Sequence, residues 1–221
     1  TLGLNLQYIE QPKPDGIAKA FILGEEFIGK DQVTLILGDN IFYGYDFSKL
    51  LADNVKNIKK GATIFSYEVS DPERFGVVEI DNEGNAIALK EKPKKPKSNK
   101  AVVGLYIYDN KVIDYAKKLK PSTRGELEIT DLNKKYLQIR QLNVATLGKG
   151  FAWLDTGTPE SLLEASHFVN TIEKRQGIKI GCIEEVAYKN QWISKKKLKI
   201  ITSEMKNTSY GKYLENIIKN R

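Results

Sequence analysis

The chain has 221 residues, 41% of them hydrophobic and 29% charged, which excludes disorder as its default state and leaves enough apolar side chains for a substantial core. No apolar run approaches the roughly 18 residues of a membrane span, and the opening Thr-Leu-Gly-Leu-Asn lacks the basic start and apolar centre of a secretion signal, so a cytoplasmic protein with no membrane partner is expected. The net charge of +7 suits a phosphate-rich ligand; because the excess is lysine scattered among Ile and Asn along the whole chain, no nucleic-acid partner is expected.

Residues 4–10 alternate apolar Leu4, Leu6 and Tyr8 with polar Asn5 and Gln7, which predicts a strand with one buried face, broken by Pro12 and Pro14. After loop 11–16, apolar residues recur at helical spacing over 17–28, with Asp15 placed to cap the start. Residues 32–37 form a near-continuous apolar run closed by Gly38-Asp39-Asn40, the pattern of a central parallel strand covered on both faces. A helix over 46–60 and a buried strand over 63–69 follow, then a hairpin of 76–80 and 86–91 turned at 81–84. The next elements are a strand at 101–108, helices over 111–119 and 126–138, and short strands at 144–147 and 151–154 that lead to Asp155. Beyond Pro159 the pattern is helical to residue 175, with further helical patches at 184–190, 195–200 and 210–219. Alternation of strand and helix predicts an α/β core over 1–158 with a parallel or mixed sheet, and a helical region over 159–221 packed on it.

Two carboxylates end apolar runs and open into glycine-containing loops, Asp39 in LILGDN and Asp155 in AWLDTGTP. Placed at one sheet edge they could share a Mg²⁺ ion, although Asp after a strand is also a common turn former or helix cap. Loop 11–16 offers the Gln11 amide, one donor and one acceptor that match a pyrimidine edge, and Gly16, whose backbone can approach a flat ligand closely; such loops also serve purely structural turns. Lys92 adjoins the second hairpin strand and can meet a sugar phosphate, while Glu91 accepts from sugar hydroxyls; the lysines that follow read as a solvated loop. His167 reads as an ordinary packed residue on a helix. Cys182, the only cysteine, excludes an internal disulfide and reads as inert.

The segments EQPKPDGIAKAF, LILGDNIFYG, DPERFGVVE, KEKPKKPKSN, VVGLYIYDN, RGELEITDLN and AWLDTGTPESLLEA stand in one order that strongly resembles bacterial glucose-1-phosphate thymidylyltransferases. The resemblance implies a Rossmann-like mixed, mostly parallel sheet flanked by helices, a helical C-terminal part and a homotetramer. It implies a Mg²⁺-dependent in-line displacement that makes dTDP-glucose and pyrophosphate from dTTP and glucose 1-phosphate. Carried over by position, Gln11, Asp15 and Gly16 are the thymine loop, Asp39 and Asp155 the Mg²⁺ ligands, Glu91 the sugar-hydroxyl partner and Lys92 the phosphate group's holder. Gly76 and Val102 contribute backbone contacts to the glucose, with Trp153 beside them; Phe75 stands where many relatives have Tyr. The family's glycine-rich triphosphate loop, with its Thr-Arg pair, is not found in these residues, so an N-terminally truncated chain with little activity of its own is expected. Two alternatives are a non-catalytic nucleotide- or sugar-binding homologue and a uridylyltransferase, since uracil presents the same hydrogen-bonding edge as thymine.

Overall fold

The computed structural model describes residues 2–58 and 60–220. Its elements run α1 (Lys19–Leu23), α2 (Glu25–Ile28), β1 (Val33–Ile36), β2 (Asn40–Gly44), α3 (Phe47–Asn57), β3 (Ala62–Glu68), β4 (Gly76–Ile80), β5 (Ala86–Glu91) and β6 (Lys100–Tyr108). They continue with α4 (Val112–Lys117), α5 (Ile129–Gln138), β7 (Leu142–Leu147), β8 (Phe151–Asp155), α6 (Pro159–Gln176), α7 (Ile183–Lys189), α8 (Lys195–Glu204) and α9 (Ser209–Lys219). The chain divides into two compact units, one of Ile9–Thr156 and the other of Gly157–Arg221 with Thr1–Tyr8.

In the first unit the described strands form a sheet in the order β5-β4-β6-β3-β7, with β1 also paired to β6, and a separate two-stranded ribbon of β2 and β8. The near-continuous apolar run of β6 follows from covering both faces of the sheet, because successive residues on a strand point to opposite sides. Val103, Leu105 and Ile107 join Phe65 of β3 in a cluster completed by Phe47, Leu50, Leu51 and Val55 of α3 and by Phe42 and Trp153 of the ribbon. Tyr106 and Tyr108 instead join Ile64 against Phe21 of α1, Val112 and Ile113 of α4, and Leu132 and Tyr136 of α5. Buried phenols need partners: the Tyr108 hydroxyl donates to Asn133 Oδ1 at 2.6 Å and that of Tyr136 to Asp109 Oδ1 at 2.7 Å. Burial pushes both phenols well above their ordinary range.

An α/β fold with helices flanking a mixed sheet is what the sequence predicts, but the parallel majority is corrected. Among the described strands only β3 and β7 run parallel; β1, β3 and β4 are antiparallel to β6, and β4 to β5. Parallel neighbours need a long crossover. The short connection 81–85 can only reverse direction, β5 and β6 run the same way but with the antiparallel β4 between them, and only the path through α4 and α5 returns β7 directly alongside β3 in the same sense.

Other departures are local. Residues 4–10 form no strand, and Leu4, Leu6 and Tyr8 are exposed: no described strand takes their hydrogen bonds, so the alternation has no face to bury. The helix expected over 17–28 breaks at Gly24 into α1 and α2 and lacks the Asp15 cap, the N-cap being Ala18 with no side-chain bond. β1 alternates half-buried and exposed residues and pairs with β6 alone, so it is not the doubly covered strand its apolar run suggests. β2 escapes prediction because Gly38-Asp39-Asn40 reads as the end of a strand rather than the start of one. α3 ends at Asn57; residue 59 of the predicted helix lies outside the described residues.

In the second unit, Thr158 and Ser161 cap α6 reciprocally and Gly177 ends it at φ 65°. Cys182, Ala187, Leu198, Leu214 and Ile218 form the core among α7, α8 and α9, and burial raises the Cys182 thiol, as suits an inert side chain. His167 is exposed on α6 rather than packed. Among the described residues no helix is long and apolar enough to cross a membrane.

Candidate active site

The β2–β8 ribbon brings the two aspartates to one end. Its antiparallel register sets Asn40 opposite Asp155 and Phe42 opposite Trp153, so the start of β2 lies beside the end of β8. Asp39 occupies the turn before β2, where its carbonyl accepts from the Thr156 amide at 2.8 Å and from the Thr156 hydroxyl at 3.0 Å. Asp39 and Asp155 are therefore brought together by an antiparallel ladder, not at the carboxyl edge of parallel strands.

Asn40 organises this end. Its Oδ1 accepts from Trp153 Nε1 at 2.7 Å and from the Gly104 amide at 3.2 Å, while its Nδ2 donates to Asp39 Oδ1 at 2.7 Å. Asp155 Oδ2 lies 3.7 Å from the Arg74 guanidinium, which also donates to Asp71 at 2.8 Å and sits 5.3 Å over the Phe75 ring. The Asp71 hydrogen bond, with lesser contributions from Asp155 and Glu73, raises the Arg74 pKa further. Phe75 in turn meets Trp153 edge to face at 5.0 Å. Among the described residues no three His, Cys, Asp or Glu side chains converge as a metal cluster, so a metal here would rest on Asp39 and Asp155. Two carboxylates at one accessible ribbon end, Asp155 21% exposed in its side chain and Asp39 exposed, fit a hard cation that keeps waters and shares oxygens with phosphates.

Phe75 also leads to the hairpin. Its carbonyl accepts from the Lys92 amide at 3.1 Å, and the β4–β5 register places Gly76 opposite Glu91. Lys92, exposed, holds φ at 40°, a left-handed conformation that costs a non-glycine residue energy and recurs at functional positions. Glu91 is held from a different element: Thr130 of α5 donates to its Oε2 at 2.5 Å, and Arg124 lies 3.5 Å from its Oε1. Arg124 is fixed by two bonds to Glu128, at 3.1 and 2.8 Å, which raise its pKa. Val102, on β6 opposite Ser66, is half-buried against the core.

Loop 11–16 is tied to that same stretch. The Asp15 carbonyl accepts from the Leu127 amide at 2.8 Å, and the Leu127 carbonyl accepts from Ala18 at 3.2 Å. Gly16, at φ 106°, is so close that a Cβ there would stand 2.4 Å from the Leu127 backbone, so its lack of a side chain serves the fold directly. The Gln11 amide nitrogen turns into the loop and donates to Asp15 Oδ1 at 2.9 Å and to the carbonyls of Lys13 and Gly16.

The nucleotidyl transferase family model matches residues 1–172. A glucose-1-phosphate thymidylyltransferase from Neisseria gonorrhoeae is 54% identical over 216 residues, 98% of this chain and 75% of its own length. The chain belongs to the nucleotidyl transferase family. A second relative, the glucose-1-phosphate thymidylyltransferase of Mycolicibacterium smegmatis, is 51% identical over 212 residues, 96% of this chain and 73% of its own. Among solved structures, a Bacillus anthracis chain in complex with sucrose matches with a TM-score of 0.64 at 46% identity, over 72% of this chain and 62% of its own. A UDP-glucose pyrophosphorylase complexed with UDP-glucose matches with a TM-score of 0.63 at 25% identity, over 75% of this chain and 66% of its own. The ordered motifs thus identified the family correctly. They did not single out Asn40, Arg74, Arg124 or Thr130, although each lies inside one of those motifs. The polar contacts that define these four follow no hydrophobic period.

Proposed function

We propose that this nucleotidyl transferase works as a glucose-1-phosphate thymidylyltransferase: a phosphate oxygen of glucose 1-phosphate forms a bond to the α-phosphorus of dTTP as the bond to pyrophosphate breaks. The observation that carries the reading is the continuous set of contacts joining Asp39 and Asp155, through Trp153 and Phe75, to Gly76, Glu91 and Lys92. The same chain is 54% identical, over 98% of its length, to a transferase of that name.

Each group has work suited to its chemistry. Gln11, Asp15 and Gly16 form the base loop, Glu91 accepts from sugar hydroxyls, with Gly76, Val102 and Trp153 around the sugar, and the Lys92 ammonium holds the sugar phosphate. Asp39 and Asp155 would hold Mg²⁺, which supplies positive charge to the crowded phosphates. The attacking phosphate is ionised at neutral pH, so no residue need take a proton from it, and the protein's share is alignment.

Apolar side chains exposed on the helical unit, among them Leu162, Leu163, Ile183 and Val186, support the homotetramer, which would cover such surface. Identities of 54% and 51% to thymidylyltransferases, against 25% to the UDP-glucose enzyme, favour dTTP over UTP.

Calorimetry on the 221-residue chain with dTTP, UTP and glucose 1-phosphate, and pyrophosphate release by a chain of the relatives' full length, test the reading. Expected are binding of the sugar phosphate and faster turnover with dTTP than with UTP. Absence of both product and sugar-phosphate binding would falsify it.

A further inference from the structure

Glu91 is held unusually firmly for a group meant to meet a mobile ligand. The Thr130 hydroxyl, in a residue only 4% exposed, donates to Glu91 Oε2 at 2.5 Å across 39 positions of sequence. A Ser or Thr hydroxyl near a helix start ordinarily bonds its own helix backbone. That of Thr130, second residue of α5, goes instead to a carboxylate on β5, and the helix's N-cap, Glu128, makes no side-chain cap bond. Gly76 marks how closely the pair is fitted. A Cβ at that position would stand 3.1 Å from Thr130 Oγ1 and 3.3 Å from Glu91 Oε2, so even one methyl group would press on both. Arg124, committed to Glu128, flanks the other carboxylate oxygen at 3.5 Å.

We propose that Thr130 is a positioning residue for sugar recognition: by anchoring Glu91 Oε2 it fixes the plane of the carboxylate and leaves Oε1 aimed at a hydroxyl of the incoming sugar phosphate. This rests on the reading of Glu91 as the sugar-hydroxyl partner. Thr is well suited to the task. Its branched Cβ restricts χ1, so the hydroxyl direction is set by the helix, and a hydrogen bond to an ionised acceptor is about twice as strong as a neutral one. A carboxylate free to rotate would accept from several hydroxyl arrangements; one locked in plane discriminates among them.

The test compares Thr130→Val, which keeps the shape and removes the hydroxyl, with Thr130→Ser, which keeps the hydroxyl, and with Glu91→Gln, all in the full-length enzyme. KM and kcat are measured for dTTP, for glucose 1-phosphate and for its 2-, 3- and 4-deoxy analogues, with melting temperatures alongside. Thr130→Val should raise KM for glucose 1-phosphate about tenfold, the effect of one hydrogen bond to a charged group. It should leave KM for dTTP unchanged and weaken discrimination against the deoxy analogue that wild type rejects most. Thr130→Ser should restore both to within about twofold, and Thr130→Val added to Glu91→Gln should do no further harm. Should Thr130→Val fail to fold, Thr130→Ala is scored in the same way. A Glu91→Gln enzyme with normal KM for the sugar overturns the reading of Glu91 itself. An impaired Glu91→Gln beside a normal Thr130→Val overturns the positioning role alone, as does a Thr130→Val that raises KM for dTTP and sugar equally.

Discussion

Replacing Gly104 with Ala should damage a site that Gly104 itself does not enter. A Cβ at this position in β6 would stand 2.7 Å from Asn40 Oδ1, 2.8 Å from its Cγ and 2.9 Å from its Nδ2. To reach ordinary contact the Asn40 amide must retreat by roughly 0.7 Å. Its bond from Trp153, now 2.7 Å, then lengthens beyond useful range, and the bond to Asp39, also 2.7 Å, is lost or bent. The neutral bond is worth about 0.5–1.5 kcal/mol, and the bond to Asp39, charge-assisted but exposed, about 1 kcal/mol. Alanine within a strand would otherwise gain about 0.5–1 kcal/mol over glycine. The net expectation is a loss of about 0.5–2 kcal/mol, a fall in Tm of about 1–8 °C for a chain this long. Gly150→Ala is the control, since a Cβ there meets nothing within 4 Å. The cycle with Asn40→Ala decides the cause. With the amide gone the clash disappears, so Gly104→Ala should cost almost nothing in that background. A Gly104→Ala melting temperature equal to that of the Gly150→Ala control, or additive losses in the double variant, would refute the reasoning.

Two further outcomes follow from the same geometry. Asp39→Asn and Asp155→Asn should each reduce Mg²⁺-dependent pyrophosphate release by about a hundredfold or more while the fold survives, and the double variant should be scarcely worse than either single. Near-normal turnover in one of them would remove the shared metal. Gln11→Ala should weaken dTTP binding by about 1–3 kcal/mol and leave glucose 1-phosphate nearly unaffected in calorimetric titration, whereas equal loss for both would take Gln11 out of the base loop.

What the sequence yields depends on whether a side chain's role is periodic. The apolar run of β6 and the hairpin of β4 and β5, with its turn at residues 81–85, are legible because their pattern is local: β6 is buried along almost its whole length, and turn residues join β4 to β5. The helices of the second unit are legible for the same reason at the helical period. Residues 4–10 carry the period of a strand without becoming one, because a strand exists only in its hydrogen bonds to another. β1 and β2 fail differently. Their direction and partners are set by where the chain returns from far away, β6 for one and β8 for the other. The same distinction divides the site. Asp39, Asp155, Glu91 and Lys92 stand out at the ends of apolar runs. Thr130 looks like any helix residue until its hydroxyl is seen on Glu91, and Arg124 like any loop cation until it is seen beside Glu91 Oε1.

The pairing of charges in the site bears on how it avoids self-defeat. Nucleotidyl transfer gathers anionic phosphates, and on the proposed reading a site that also holds Asp39, Asp155 and Glu91 would repel them unless those charges were offset. Arg74 lies 3.7 Å from Asp155, Arg124 lies 3.5 Å from Glu91, and the exposed Lys92 follows Glu91 directly in the chain. Both arginines are steered in turn by second carboxylates, Asp71 and Glu128, that keep them in place without ligand. Arginine suits this because its planar fork holds two partners at once and stays charged throughout the accessible pH range. Arg74, Arg124 and Lys92 offset three of the five carboxylates named, and a Mg²⁺ ion held by Asp39 and Asp155 would offset the other two. On the proposed reading no histidine base is needed, because the nucleophile already carries its charge; the only histidine, His167, lies on α6.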